Sequence, residues 1–324
     1  SMLKGMFAFA LYDAGSTYLV RDRLGIKPLH FRGSLTEDVY LFSSEAKSLV
    51  QGIVAAPRFD SAALVDARVL GFPVRESAFL EEIESVGPGA FIRAEYIDGV
   101  VVLERQQYAV VVPNIDTTIS SEDADREIAG MLPRVVREEL QGADTCALAL
   151  SGGTDSALLA AMIPEDRRRD VVAYTIGDSE TSTDILGAAR VAEALGIRHE
   201  VVVPTYEEYC AALPWLIYHL ESPMLSGSAL AMLAPHMKRS GKVCLVGEGA
   251  DELFHGYARH VDPRSYRAGM LHRAESISAA GGSVSSNART IIDRLVLAES
   301  DADLSRAVTD VLLHEQLSGA HLSC

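Results

Sequence analysis

The hexapeptide Ser151-Gly152-Gly153-Thr154-Asp155-Ser156 decides how this 324-residue sequence is interpreted. It follows the apolar run 146–150, which is typical of a buried strand, and precedes residues 157–162, which are rich in helix formers. Two adjacent glycines between a strand and a helix let backbone N–H groups converge on an anion, and the positive end of the helix dipole points to the same place. The hexapeptide is therefore predicted to be a phosphate-binding turn.

The side chains of this turn suit the same ligand. The hydroxyls of Ser151 and Ser156 can donate to phosphate oxygens, and the Asp155 carboxylate can hold a magnesium ion. The turn lacks the Gly-Lys-Ser/Thr ending of the common nucleotide loop, which indicates another phosphate-binding class. Ser-Gly-Gly-x-Asp-Ser after a strand resembles the pyrophosphate loop (PP-loop) of the ATP pyrophosphatase superfamily, whose members adenylate a substrate and release pyrophosphate. A serine-rich turn without chemical function is the alternative.

Composition excludes several classes of protein. Hydrophobic residues make up 48% and charged residues 23%, as in ordinary globular proteins. The formal charge of −16 makes nucleic acid and anionic membranes poor partners. No apolar run reaches membrane-spanning length, and nothing at the N-terminus resembles a signal peptide. The four cysteines lack CxxC spacing and are typical of reduced thiols, so we expect a cytoplasmic protein.

The N-terminal region is predicted to form a mostly antiparallel sheet, because alternating strand patterns recur over residues 5–97. Three segments resemble the second half of the glutaminase domain of asparagine synthetases: Gly5–Asp13 (GMFAFALYD), Arg21–Leu29 (RDRLGIKPL) and Ser43–Lys47 (SSEAK). The resemblance implies a partial, Ntn-type glutaminase-like domain over residues 1–112, with two sheets between helices. Its first half would precede Gly5, and the family's N-terminal cysteine nucleophile is not replaced by Ser1 or Met2. We therefore expect no glutaminase activity from this chain.

A polar linker is predicted at residues 113–122, followed by a helix that reaches about Leu140. Beyond it, strand and helix patterns alternate, which favours a parallel sheet with ligands at the carboxyl ends of the strands. The predicted strands are 146–150, 171–176, 199–203 and 242–246, and the predicted helices are 185–195, 206–220 and 229–238. The fold class is thus α/β, with a PP-loop synthetase domain over residues 123–324 that we expect to be incomplete at its C-terminus.

A second motif, Gly247-Glu248-Gly249-Ala250-Asp251-Glu252-Leu253-Phe254, ends the last predicted strand. Three carboxylates within five residues are costly unless positive charge lies among them, which favours a magnesium and nucleotide site. A solvated turn is the alternative. With Gly256 and Tyr257, the motif resembles the asparagine synthetase signature, although His255 replaces a glycine that is usual there.

The resemblance implies a role for each matching residue. Pyrophosphate would lie against Ser151, Gly152, Gly153 and Ser156, while Asp155 and Asp251 would bind Mg²⁺. Ile176 would touch adenine, and Gly247 and Glu248 would line the pocket for nucleotide and acyl-adenylate. We predict Glu248 and Tyr257 as catalytic residues. Tyr257 occupies the position of a catalytic tyrosine in a related β-lactam-forming enzyme, and a purely structural role is its alternative.

These roles predict ATP-dependent amide formation through an acyl-adenylate, from a small-molecule carboxylate and an amine or ammonia donor. The product would be asparagine or an amide or lactam of a specialised metabolite. The alternative is an incomplete or degenerate homologue that binds nucleotide, or a complementing chain, without turnover. An uncovered sheet face across residues 5–97 would favour a homo-oligomer or a complementing polypeptide.

The distribution of basic residues adds one expectation. The family uses a lysine well beyond the tyrosine, but all five lysines of this sequence precede the second motif. The arginines that follow come soon after Tyr257, and a guanidinium does not simply replace an ammonium group. They include Arg259, Arg264, Arg267 and Arg273. We therefore expect the isolated chain to bind ATP but to form product slowly or not at all.

Overall fold

The computed structural model describes residues 3–33, 40–50, 57–72, 74, 78–110, 118–222 and 227–311. These residues separate into two compact units. The first unit is drawn from Ser1–Val112, Tyr218–Leu225 and Gly249–Cys324, and the second from Pro113–Ile217 and Ser226–Glu248. No helix in the described ranges combines the length and apolar character needed to cross a membrane.

Helices and strands follow one another in the order below. The N-terminal elements are β1 (Ala8–Asp13), β2 (Ser16–Arg21), β3 (His30–Gly33), β4 (Tyr40–Ser43), α1 (Ala46–Val50), α2 (Ser61–Leu70), β5 (Glu84–Ser85), β6 (Ala90–Ile97) and β7 (Val100–Gln107). The central elements are α3 (Ser121–Glu139), β8 (Cys146–Ala149), α4 (Thr154–Ala161), β9 (Val171–Ile176), α5 (Thr183–Leu195), β10 (Arg198–Val202), α6 (Tyr206–Leu220) and α7 (Ser228–Met237). The C-terminal elements are β11 (Val243–Leu245), α8 (Ala250–Phe254), α9 (Ala258–Val261), α10 (Pro263–Ala279), α11 (Ser286–Val296) and α12 (Asp301–Val311).

The first unit contains two antiparallel sheets, with strand orders β1-β2-β6-β7 and β4-β3-β5. A two-residue turn joins β1 to β2, and both turn residues, Ala14 and Gly15, have positive φ as a tight hairpin requires. Leu19 and Ile92 of one sheet share a buried cluster with Phe31 of the other. The prediction of a mostly antiparallel N-terminal region is confirmed.

Helix α2 was not predicted, although its ends carry ordinary signals. The Asp60 carboxylate accepts from the Ala63 N–H at the start, and Gly71 closes the helix with φ of 90°. The end of α2 packs in one large buried cluster with α10, α11 and α12. Buried Asp66 accepts a 2.8 Å hydrogen bond from the Ser285 N–H, which joins α2 to the start of α11.

The second unit is organised around a parallel sheet with strand order β10-β9-β8-β11. Its strands are the four that the sequence pattern predicted, and α6 has the predicted bounds. A buried cluster that includes Leu148, Ala173 and Ala188 fixes β8, β9 and α5 together. The predicted parallel α/β architecture is confirmed.

The predicted domain boundaries stay a prediction. Residues 113–117 of the proposed linker (113–122) lie outside the described residues, and α3 already begins at Ser121, after the Ser120 cap. The boundary between the packing units falls within the second motif, after Glu248. From Gly249 onward the described residues pack in the first unit, whereas the sequence pattern assigned them to a domain over residues 123–324.

Candidate functional site

The hexapeptide lies at a topological switch point of the second unit. From β8 the chain passes through α4 to β9 and β10 on one side, and it returns to β11 on the other side. Helix α4 begins at Thr154, directly after the two glycines. In parallel sheets, ligands bind outside the carboxyl ends of strands at such a point. The fold therefore places the candidate loop where a nucleotide site is expected.

Hydroxyl groups inside the loop fix its shape. The Ser156 hydroxyl accepts from the Ser151 N–H at 3.0 Å and lies 3.0 Å from the Ser151 hydroxyl. The Ser151 hydroxyl also accepts from the Gly153 N–H at 3.1 Å. Ser156 is buried, whereas Ser151 is half-buried. The two serines thus hold the turn in place, and their contact with phosphate stays a prediction.

The outer side of the loop is open to solvent. Gly152, Gly153 and Asp155 are exposed at the start of α4. A side chain at Gly152 would lie 2.9 Å from the Thr183 carbonyl oxygen at the start of α5, so only glycine fits this close approach. The backbone, an exposed carboxylate and a helix N-terminus are therefore presented together, an arrangement that suits phosphate and its metal ion.

A support behind the loop was not predicted. The Thr175 hydroxyl donates at 2.6 Å to the carbonyl oxygen of Leu150, the residue before Ser151. His199 Nε2 lies 2.8 Å from the same hydroxyl and donates to it, because the hydroxyl proton is already used. Burial lowers the pKa of His199, which keeps the ring neutral. A polar residue in the middle of the apolar strand β9 was the only sequence signal for this support.

The other predicted nucleotide-binding residues of the second unit lie at or just after the ends of two neighbouring strands. Ile176 closes β9, and Gly247 follows β11. A side chain at Gly247 would lie 3.6 Å from Asp155 Cβ and 3.5 Å from the Ser156 nitrogen. Glu248 is exposed. The structure thus brings Gly247 beside the loop, while direct roles for Ile176 and Glu248 stay predictions.

The acidic turn of the first unit consists of α8 and the residues after it up to Tyr257. His255 has φ of 60° and ends α8 in the left-handed region, which explains why glycine is usual at this position in the family motif. The Gly256 N–H donates to the Asp251 carbonyl at 3.0 Å. A side chain at Gly256 would collide with the Asp251 carboxylate, so that carboxylate or the turn would have to move to accommodate it.

Tyr257 and Glu252 form a hydrogen-bonded pair that sequence reasoning missed. Glu252 is only 1% exposed, and the Tyr257 hydroxyl donates to its Oε1 at 2.7 Å. Burial, together with the hydrogen bond to Glu252 and its charge, raises the pKa of Tyr257 above its usual value. The phenol is therefore a fixed hydrogen-bond donor at neutral pH. The pairing depends on the chain reversal at His255, which the spacing of five residues did not indicate.

The geometry of the described residues supports only part of the predicted magnesium site. Asp155 is an exposed carboxylate beside a phosphate-type loop, and Mg²⁺ commonly binds one or two carboxylates together with phosphate oxygens. Asp251 belongs to the first unit, so the pairing of Asp155 with Asp251 stays a prediction. Within the described ranges, no group of three or more His, Cys, Asp or Glu side chains is arranged to hold a metal ion.

Comparisons with known proteins decide the family. The model of the asparagine synthase family matches residues 127–319, which is more than half of the chain. The chain belongs to the asparagine synthase family. A glutamine amidotransferase domain model matches residues 1–107, in agreement with the resemblance of the N-terminal segments.

Individual relatives agree with this assignment. A Mycobacterium bovis protein with a provisional asparagine synthetase name is 31% identical over 279 residues, which cover 82% of this chain and 41% of its own length. The glutamine-hydrolysing asparagine synthetase 1 of Bacillus subtilis is 28% identical over 275 residues, covering 82% of this chain and 42% of its own length. The corresponding synthetase B of Escherichia coli is 27% identical, with shares of 79% and 44%. The chain thus spans about two fifths of the length of these relatives.

Among solved structures, an NH3-dependent NAD synthetase of Campylobacter jejuni matches 56% of this chain and 91% of its own. Its identity is 16% and its TM-score is 0.34. A glutamine-dependent NAD⁺ synthetase of Acinetobacter baumannii has a TM-score of 0.33. These values are too low to carry an argument about the fold.

Proposed function

We propose that this protein forms amide bonds in an ATP-dependent reaction that proceeds through an acyl-adenylate and releases AMP and pyrophosphate. The observation that carries the proposal is the position of the Ser151–Ser156 loop. The loop follows strand β8 at the switch point of a parallel sheet and leads directly into helix α4, and Gly247 of the second family motif lies beside it.

The reaction mainly requires that the protein position ATP and the carboxylate and neutralise the charge of the phosphates. The loop backbone and the start of α4 would hold the pyrophosphate portion of ATP, and Asp155 would bind its magnesium ion. Magnesium, when bound, would neutralise charge on the phosphates as a substrate carboxylate attacks the α-phosphorus. Asp251 is assigned as the second ligand from the family motif alone.

The acyl transfer step requires an amine or ammonia as the nucleophile. Glu248 and Tyr257 are proposed to act at the acyl-adenylate. Because the raised pKa of Tyr257 keeps its phenol protonated, we assign Tyr257 the role of a hydrogen-bond donor to Glu252 rather than that of a free base.

Product analysis tests the proposal. The protein is incubated with MgATP, ammonia and L-aspartate labelled with ¹⁸O in its carboxylates, and the nucleotide products are separated. Carboxylate-dependent formation of AMP that carries one ¹⁸O, with equimolar pyrophosphate, is expected. ADP and inorganic phosphate as products would contradict the mechanism. A chain that binds MgATP but yields no AMP with aspartate or other carboxylates would favour the alternative of binding without turnover.

A further inference from the structure

Arg259 lies against the proposed catalytic tyrosine. Its guanidinium carbon is 3.8 Å from the centre of the Tyr257 ring and 5.9 Å from that of Tyr266. A guanidinium within about 6 Å of an aromatic face is attracted by the quadrupole of the ring. Arg259 comes only two residues after Tyr257, too soon in the sequence to correspond to the family's lysine. In the structure, Tyr257 is extended and α9 begins at Ala258, so the short spacing permits this contact.

Aromatic contacts position the Arg259 side chain. Its Nε is buried and has no hydrogen-bond partner among the described residues. No described carboxylate forms an ion pair with it either, in contrast to Arg264, which binds Asp301 through two 2.6 Å hydrogen bonds. The guanidinium therefore lies over aromatic rings and not against a carboxylate. A lysine at this position would keep the charge but lose the broad contact of the guanidinium.

His260 contributes packing on the same tyrosine without adding charge. Its ring lies 5.8 Å from the Tyr257 ring at an interplanar angle of 20°, and its Nδ1 accepts from the Tyr257 N–H at 3.3 Å. Burial, with the nearby His255 and Arg259, lowers the pKa of His260 to about 4, so the imidazole is neutral at pH 7. Arg259 is therefore the charged member of the stack around Tyr257.

We propose that Arg259 is a positioning residue for Tyr257: its guanidinium, which lies over the ring, fixes the phenol so that the hydroxyl donates to buried Glu252. The effect on turnover rests on the proposed function, whereas the effect on the phenol does not. The positive charge over the ring also offsets the charge of the Glu252 carboxylate that the phenol contacts.

The test uses the full chain labelled with ¹³Cζ-tyrosine and observed by NMR. Tyr257→Phe assigns the Tyr257 signal, and Glu252→Gln gives the shift of a phenol without its carboxylate acceptor. Arg259→Ala is expected to move the Tyr257 signal most of the way to the Glu252→Gln value, and Arg259→Lys is expected to do nearly the same. Arg264→Ala, which removes an exposed arginine of the neighbouring helix, should leave the signal unchanged.

Kinetics supply the second readout. Arg259→Ala should lower kcat for amide formation at least about tenfold, while KM for ATP changes less than about twofold, because the loop that binds ATP is untouched. An unmoved Tyr257 signal in a folded Arg259→Ala or Arg259→Lys variant would overturn the proposal. If Arg259→Ala does not fold, Arg259→Lys carries the test alone. A wild-type protein without turnover contradicts the proposed function only, since the NMR result stands independently.

Discussion

The two motif turns of this protein are built in opposite ways. In the loop Ser151–Ser156, backbone N–H groups donate hydrogen bonds to the serine hydroxyls, and the Asp155 carboxylate is exposed to solvent. In the acidic turn, the Glu252 carboxylate is 1% exposed and is hydrogen-bonded to a tyrosine. One turn presents its charged group to solvent, and the other buries it in a side-chain network.

This difference predicts how each turn responds to substitution. The loop is preorganised by local contacts, so changes on its exposed side should alter ligand binding more than folding. The acidic turn depends on packing and on a buried carboxylate, so its substitutions should change stability as well as activity.

Gly256→Ala is expected to have the largest effect on stability. The added methyl group would collide with the Asp251 carboxylate and lie 3.2 Å from the Asp251 Cα, so relieving the collision displaces the carboxylate and presses on the backbone of the turn. We expect a loss of about 3 kcal/mol in the free energy of unfolding, measured by urea titration. Gly269→Ala in α10 is the control, because its new methyl group meets only the end of Arg273, at 3.5 Å. Equal stability of the two variants would show that the acidic turn tolerates a side chain at this position, which would contradict the prediction.

Gly152→Ala should impair both binding and folding. Its methyl group would press on the backbone carbonyl of Thr183 and shift the loop, so we expect MgATP affinity to fall about tenfold, which corresponds to about 1.4 kcal/mol. Because the contacted atoms belong to the backbone, the free energy of unfolding should also fall, by about 1–3 kcal/mol. Gly130→Ala in α3, where a methyl group meets nothing within 4 Å, should bind normally and keep its stability. Normal affinity and normal stability of Gly152→Ala would count against the close approach of the loop to α5.

The packing of His260 on the acidic turn should make the stability sensitive to acid. The pKa of His260 is lowered to about 4 in the folded protein from an ordinary value near 6.5, so the unfolded chain takes up its proton first. The resulting stability is complete above about pH 6.5 and is lost as the pH falls towards 4. His260→Phe should flatten this part of the stability profile in urea titrations at pH 7 and pH 5. An unchanged slope in the variant would contradict the assignment.

His255→Gly should have the smallest effect, and it should be favourable. His255 has φ of 60°, a conformation that costs a non-glycine residue free energy. Glycine should therefore raise the free energy of unfolding by up to about 1 kcal/mol, reduced by the loss of the stack on His260 at 4.6 Å. His255→Ala keeps the strain and loses the stack, so it should be less stable than both. The reverse order of the glycine and alanine variants would contradict this explanation.

The sequence predicted what depends on local patterns. Strands β8 to β11 and the turn after β8 follow from apolar runs and glycines, which determine backbone structure within a few residues. The antiparallel N-terminal strands follow from alternation and short turns in the same way. The loop that carries the candidate nucleotide residues could therefore be located without a structure.

Features that depend on long-range packing were missed. Helix α2 contacts α10 to α12 more than 200 residues later, as in the hydrogen bond from Arg273 Nε to the Val69 carbonyl. The pair Glu252–Tyr257 requires the reversal at His255, and the support from His199 requires the register of β9 and β10. The α2 and His199 contacts depend on where distant segments meet, and the Glu252–Tyr257 pair depends on the left-handed backbone at His255, which a histidine does not indicate.

Calorimetric titration of MgATP into the Asp155→Ala protein tests the central claim most directly. Asp155 is exposed at the loop, so the variant should fold normally and yet lose Mg²⁺-dependent ATP binding at least about tenfold. Asp144→Ala removes the same charge from an exposed residue before β8, at the opposite end of the same strand, and should bind as the wild type does. Wild-type affinity in Asp155→Ala, with the same dependence on Mg²⁺, would contradict the assignment of the loop as the ATP site.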